Sequence, residues 1–198
     1  MTAIAGADTG LWRRCHGTAR ERGLAPALAA LFSALPPGIS VLGPGGCAVL
    51  PAGTDTGGVV VREANPPGGP VVLVRGEPGP GEPVLAVGAL WLRLGLSQYL
   101  LDRCLEHLGE RRTGDTTLLR QQLVQGAIAE VVTLHLQVRA ELAVAGDSPD
   151  EGLLHAKLTE ADRGLLRLLG AAGFLAGGPG EVADLSELLA GAFTGETA

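Results

Sequence analysis

Aromatic residues are scarce in this 198-residue chain, where Phe, Tyr and Trp together make up 3% of the sequence. A core without large rings has to be packed by Leu, Val and Ala, which suits closely approaching helices better than a sandwich of sheets. Lysine is scarcer still: Lys157 stands alone among fifteen basic residues. Against them are twenty-one acidic ones, and the net charge of −6 leaves no basic patch for nucleic acid. The three cysteines, Cys15, Cys47 and Cys104, are odd in number and too widely spaced for a disulfide framework. His16, His107, His135 and His155 show no metal-ligand spacing with them, so no metal site is expected. Cys15 followed by His16 reads as two ordinary residues, because neighbours in sequence rarely present the geometry of nucleophile and base. Long apolar runs are missing too. The stretch Val84 to Leu96 is interrupted by Arg93 and is too short to span a bilayer. No charged segment followed by an apolar one opens the chain, so the expectation is a cytoplasmic protein without a membrane partner.

What the chain does have is apolar material. Hydrophobic residues are 46% of the sequence and charged ones 18%, enough to offset the conformational entropy of folding. Three regions differ in texture. Residues 1–37 contain one helical pattern, from about Leu11 to Leu35, in which Leu24, Leu28, Leu31, Phe32 and Leu35 recur at helical spacing before Pro36 and Pro37 end it. Residues 38–83 form a small β region. Its Val-rich runs Cys47 to Leu50, Val59 to Arg62 and Val71 to Arg75 are punctuated by Gly and Pro, which predicts short strands joined by turns.

Residues 84–198 read as four helices. The first runs to about Arg112, with Leu94, Leu101, Leu105 and Leu108 on one face, and is stopped by Gly114 and Asp115. The second, from about Thr117 to Val144, carries Ala127, Val131, Leu134, Val138 and Leu142 on a stripe that is a candidate dimer contact, with Gly146 ending it. Ser148, Pro149 and Glu151 then read as cap, first-turn proline and capping-box partner of a third helix, which reaches Gly170 with a break near Thr159. The fourth spans about Glu181 to Phe193. The fold class is therefore mainly α: a C-terminal antiparallel four-helix bundle preceded by a reduced β region and an N-terminal helix.

The motifs Leu94-Gly95-Leu96, Leu101-Asp102, Glu110-Arg111-Arg112 and Leu118 to Gln122 resemble the opening helices of the acyl-CoA dehydrogenase C-terminal domain. A second stretch, Leu168-Leu169-Gly170-Ala171-Ala172-Gly173-Phe174, resembles that family's Gly-Gly-x-Gly-aromatic motif. Pro179 and Phe193-Thr194-Gly195 follow at the family's distances. The resemblance covers roughly Leu94 to Gly195, and it implies FAD. Arg111 and Gln122 would face the pyrophosphate and adenine of a flavin bound by a neighbouring subunit, and Gly170 and Gly173 would let the backbone approach the cofactor.

The departures from the pattern point away from dehydrogenation. The family's Gln-Phe-Gly turn is Thr113-Gly114-Asp115, which puts a carboxylate where phosphate would sit and weakens FAD binding. Ala171 replaces a glycine, and Leu185-Ser186 stands where an Arg-Asp pair usually follows. The Glu that abstracts the α-proton is replaced by Thr194, whose hydroxyl is no base at neutral pH. Glu196 lies two residues on, and the alternative upstream location for the base holds Leu85. The resemblance thus implies a shortened, degenerate family member, acting as a non-dehydrogenating scaffold or as a subunit that pairs with itself or with a full-length flavoprotein. Two other readings stand beside it. One is a redox-neutral cyclase or isomerase handling an acyl thioester on CoA or an acyl carrier protein, with His135, His155 and Thr194 as its polar groups. The other is an FAD-dependent dehydrogenase using Glu196 as a relocated base.

Overall fold

The computed structural model describes residues 9–55, 57–144, 149–175 and 177–194. Among the described residues, five α-helices pack on one long central helix, with a small sheet beside them. The N-terminal pattern is two helices rather than one, α1 (Thr9–Arg22) and α2 (Leu24–Ser33). They break at Gly23, which adopts φ 88°. A Cβ there would sit 2.1 Å from the carbonyl oxygen of Pro67, and one on Gly68 would sit 2.1 Å from that of Arg22. The two glycines let the α1–α2 joint and the 66–70 turn touch backbone to backbone, a constraint no helical periodicity reveals.

Strands β1 (Cys47–Pro51), β2 (Val59–Ala64) and β3 (Val71–Arg75) form an antiparallel sheet in the order β1-β3-β2. Leu50 and Val74 are buried beneath Phe32, Val41 and Leu42. Val49 and Val71 join the main core. β2 is an edge, bulged between Val60 and Arg62 and exposed through Glu63.

Helix α3 (Pro83–Glu110) starts with proline at its first position and is buried at every residue from Leu85 to Ser97. By length and composition it could cross a membrane, but 83% of its most apolar stretch is buried by the rest of the fold, so it is the core helix. Its glycines set how closely neighbours pack. A Cβ on Gly95 would lie 2.4 Å from the His16 carbonyl oxygen, so the Leu94-Gly95-Leu96 motif serves the α1–α3 crossing. Arg20 seals that crossing with a two-pronged pair to Asp102 at 2.8 and 2.9 Å.

After α3 the chain makes a short hairpin of β4 (Arg112–Thr113) and β5 (Thr116–Thr117), turned by Gly114 at φ 59°. A single 3-10 turn, Leu118–Arg120, follows. Helix α4 (Gln122–Val144) therefore starts five residues later than the apolar pattern predicts. Helix α5 (Glu151–Leu169) is capped by Asp150, whose Oδ1 accepts from the Leu153 N–H at 3.0 Å. The expected cap Ser148 and the stop Gly146 lie outside the described residues. α5 runs unbroken past Thr159, then a 3-10 segment, Gly170–Phe174, leads to α6 (Pro179–Thr194).

The stripe on α4 expected to make a dimer contact belongs to this core instead: Val131, Val138 and Leu142 are buried. Val131 packs on Gly164 of α5, where there is room for no larger residue without a shift. An amphipathic helix in a bundle turns its apolar stripe inward, and α4 has α5 and α3 to turn it to.

Candidate functional site

Three polar side chains, Ser186, Thr159 and His155, converge on Arg93, which is wholly buried on α3. Its Nε donates to Ser186 Oγ of α6 at 3.1 Å, and Nη2 donates to Thr159 Oγ1 of α5 at 2.8 Å. Nη1 donates to His155 Nδ1 at 2.9 Å and to the His155 carbonyl at 3.3 Å. A guanidinium has no acceptor, so His155 Nδ1 is the unprotonated nitrogen and Nε2 carries the proton. That buried Nε2 has no hydrogen-bond partner among the described residues.

Asp162, on the same face of α5, accepts from Ser186 Oγ at 3.1 Å through Oδ2, while Oδ1 has no hydrogen-bond partner among the described residues. Burial pushes its carboxyl up to about 6, against the downward pull of nearby Ser97, Arg93 and Ser186. Ser97 shares a 2.7 Å hydrogen bond with His135 Nε2 of α4. Burial takes His135 down to about 4, helped by Arg20 and His16, and takes His155 down to about 3, helped by Arg93. Both imidazoles are neutral at pH 7. Ser97 is fully buried, so its contact with His135 holds α3 to α4 and offers no exposed nucleophile.

Of this network, Arg93, Thr159 and Asp162 lie against a groove of about 540 Å³ between α5 and α6. Leu166, Phe174, Leu175 and Ala183 give it apolar walls. Phe174 and Leu175 are 76% and 66% exposed. The rim carries two ion pairs, Arg62–Asp184 at 2.6 Å and Arg163–Glu187 at 3.1 Å. A depression of this size, with apolar walls and a few convergent polar groups of perturbed pKa, is the ordinary form of a small-ligand site.

The residues singled out by sequence fall into separate places. His135 and His155 sit in the buried network, on either side of α3. Arg111 and Gln122 are exposed at the end of α3 and the start of α4, joined by the β4–β5 hairpin. Gly170 terminates α5 at φ 55° with open space where a Cβ would lie. Gly173 is buried, and a Cβ there would meet Leu166 and Leu169 at 3.3 Å. A Cβ on Gly180 would in turn lie 2.2 Å from the Gly173 carbonyl oxygen, so this glycine pair joins the 3-10 segment to α6. Flavin therefore fits the chain's residues only in part: Arg111 and Gln122 are free to meet a phosphate from outside, whereas Gly173 already faces its own chain. Leu85 is core. α6 ends at Thr194, whose side chain lies outside the described residues, as do Gly195 and Glu196.

Sequence reading missed Arg93, Asp162, Ser97 and Ser186. Its signal for the first was present, since Arg93 is the one charge in the apolar run that fills the centre of the fold. Asp162 is likewise the acid set among the buried Leu154, Leu158, Leu165 and Leu169 of α5. A lone charge on a buried stripe has to be satisfied by other polar groups in the core.

No protein-family profile matches the sequence, and no curated protein matches it either. Among solved structures, the chain is similar to one in the ChsE4–ChsE5 complex from Mycobacterium tuberculosis, with a TM-score of 0.50 and 17% identity over 77% of this chain and 54% of that one. It is also similar to glutaryl-coenzyme A dehydrogenase in its glutaryl-CoA complex, with a TM-score of 0.45 and 19% identity over 75% of this chain and 50% of that one. The chain thus spans about half the length of each of these proteins. At the level of fold, the chain is mainly α and similar to the chain of the ChsE4–ChsE5 complex over 77% of its length.

Proposed function

We propose that this chain is a non-dehydrogenating subunit of the acyl-CoA dehydrogenase type, one that works by pairing through its helical bundle with itself or with a full-length flavoprotein. The observation that carries this reading is the outward face of α4. Leu136 is 60% exposed and Val144 86%. Gly126, Ala129, Val132, Thr133, Ala140 and Ala143 fall on the same side of the helix together with Gln125 and Gln137, and Glu130 and Arg139 stand at its margins, with the 89% exposed Leu123 beyond Glu130. An uncharged stripe of this length, on a helix whose other side is already in the core, is costly to leave in water. Exposed Arg111 and Gln122 lie at the end of that stripe, where a partner's FAD phosphates would find them. By the sequence resemblance, Thr194 stands where the family has its catalytic Glu, which supports a role without α-proton abstraction.

Sedimentation and affinity co-purification from the source cell test the reading together. A dimer, or a complex with a yellow flavoprotein, is the expected result. A strictly monomeric chain that retains no partner overturns it. The second reading, a redox-neutral enzyme acting on an acyl thioester, is favoured by the α5–α6 groove, and turnover by the purified chain without flavin would establish it. The third, an FAD-dependent dehydrogenase with Glu196 as its base, requires the purified chain to bind flavin and to lose turnover in Glu196→Gln.

A further inference from the structure

The outward residues of α4 keep a period that a solvated surface does not need. Gly126, Ala129, Thr133, Leu136, Ala140 and Ala143 follow one another in alternating steps of three and four residues, and all six are exposed. That spacing holds one line of residues against a neighbouring helix and is the pattern of a coiled-coil seam. Val131, His135, Val138 and Leu142 keep the same spacing on the opposite side of α4, where they are buried. The helix thus carries two seams, and the fold uses one. The outward seam is made of small residues apart from Leu136, and a Cβ on Gly126 would meet nothing within 4 Å. How close two helix axes come depends on the side chains between them, so this line admits a close neighbour.

The neighbour that fits is the same helix reversed. A twofold axis crossing α4 between Leu134 and His135 sets Gly126 against the partner's Ala143, Ala129 against the partner's Ala140 and Thr133 against the partner's Leu136. Every seam residue then meets a seam residue. In an antiparallel pair each margin of the helix also meets its own counterpart. On one margin the axis brings Leu123 beside the partner's Val144, joining the two most exposed large apolar side chains among the described residues. Glu130 comes beside the partner's Gln137, and on the other margin Arg139 lays its stem beside the partner's Val132. Like charges stay apart, since Glu130 and the partner's Glu130 are offset by about 13 Å along the axis, as are the two Arg139 side chains. A parallel pair would instead put both Leu136 side chains in one layer and hold the backbones apart at the Ala and Gly layers beyond it. We propose that α4 pairs with α4 of a second copy, antiparallel about a twofold axis between Leu134 and His135, through the seam from Gly126 to Ala143. This rests on the reading of the chain as a pairing subunit and narrows its partner to another copy of itself.

Two single substitutions at exposed seam positions, Ala129→Cys and Ala140→Cys, test the register in the full chain. Both are made in Cys47→Ser, because Cys15 and Cys104 are buried. The two variants are mixed, left to exchange and oxidised with copper–phenanthroline. The mixture is expected to give a disulfide-linked dimer on a non-reducing gel, and neither variant alone should give one. The reason is geometric: about 16 Å along the axis separates Ala129 from the partner's Ala129, and the same holds for Ala140, whereas a disulfide spans Cα atoms less than about 7 Å apart. Sedimentation of the wild type, read beside the gel, distinguishes this inference from the broader one. A wild type that dimerises while the mixture stays unlinked, or while either variant links to itself as readily, overturns the antiparallel seam and leaves subunit pairing standing. A chain that is monomeric by itself and co-purifies with a flavoprotein also overturns the seam between copies, again without touching the broader reading. A monomer that retains no partner overturns both.

Discussion

Arg93 Nε donates to Ser186 Oγ at 3.1 Å, and the same hydroxyl donates onward to Asp162 Oδ2 at 3.1 Å, so the buried cation and the buried carboxyl meet through a serine rather than face to face. This arrangement ties α3, α5 and α6 together at one level of the bundle. Removing the cation alone leaves Asp162 charged in an apolar interior and strips His155, Thr159 and Ser186 of their donor. Arg93→Met should therefore destabilise the fold by about 3–5 kcal/mol in chemical denaturation. Adding Asp162→Asn to it should recover a large part of that loss, since the uncompensated charge is then absent. A double variant no more stable than the single one would show that Arg93 acts through packing of its stem instead.

The pH dependence follows from three buried groups with opposite signs. Asp162 titrates near 6 in the fold against 3.8 as a free side chain. Its ionisation thus costs the native state stability above pH 6, and stability is regained as pH falls toward 4. His135 and His155 are lowered to about 4 and about 3. Their contribution is fully present above pH 6.5 and is lost as pH falls, because the unfolded chain takes up protons that the fold refuses. Two imidazoles outweigh one carboxyl, so thermal stability should decline on acidification from pH 7 to pH 4. Asp162→Asn removes the one opposing contribution. Relative to the variant, wild type should gain up to about 3 kcal/mol over that interval. A difference between the two proteins that does not change with pH would refute the assignment to Asp162.

Much of the architecture was legible because apolar spacing reports directly on burial. The three strands begin where their Val-rich runs begin, and the four bundle helices were read in order. What escaped was set by contacts distant in sequence. Gly23 breaks the first helix because the Pro67 carbonyl lies against it, and α4 begins late because Arg112 and Thr117 pair across a hairpin. The candidate site was harder still. Its polar groups are spread over four helices, with Arg93 and Ser186 ninety-three positions apart, and no motif links them. The motifs around Arg111 and Gly173, which carry the family resemblance, mark helix ends and glycine contacts of the scaffold.

Glycine substitutions separate packing from propensity. Gly126 and Gly95 both lie inside helices, where Ala is worth up to about 1 kcal/mol more than Gly. A Cβ on Gly126 meets nothing within 4 Å, so Gly126→Ala should stabilise the chain by roughly that amount. A Cβ on Gly95 would meet the His16 carbonyl at 2.4 Å and the Ala19 side chain at 2.8 Å. Backbone cannot yield there without moving α1, and Gly95→Ala should cost about 1–3 kcal/mol despite its better propensity. Equal effects at the two sites in thermal unfolding would mean that the α1–α3 crossing is looser than its geometry indicates.

The two faces of α4 predict opposite responses to the same substitution. Val138 is fully buried, and Leu136, two residues away, is 60% exposed. A glutamate at Val138 places a charge in the core, so Val138→Glu should unfold the chain or cost it more than about 3 kcal/mol. Leu136→Glu meets water in the isolated chain and should leave its unfolding midpoint within about 0.5 kcal/mol of wild type. If the outward stripe is a pairing surface, the same change should abolish the assembly, because a charge would then be buried at its centre. Sedimentation and chemical denaturation of the two variants side by side give the answer. Loss of assembly without loss of fold in Leu136→Glu assigns the stripe to pairing, while unchanged assembly moves the contact to another face of the bundle.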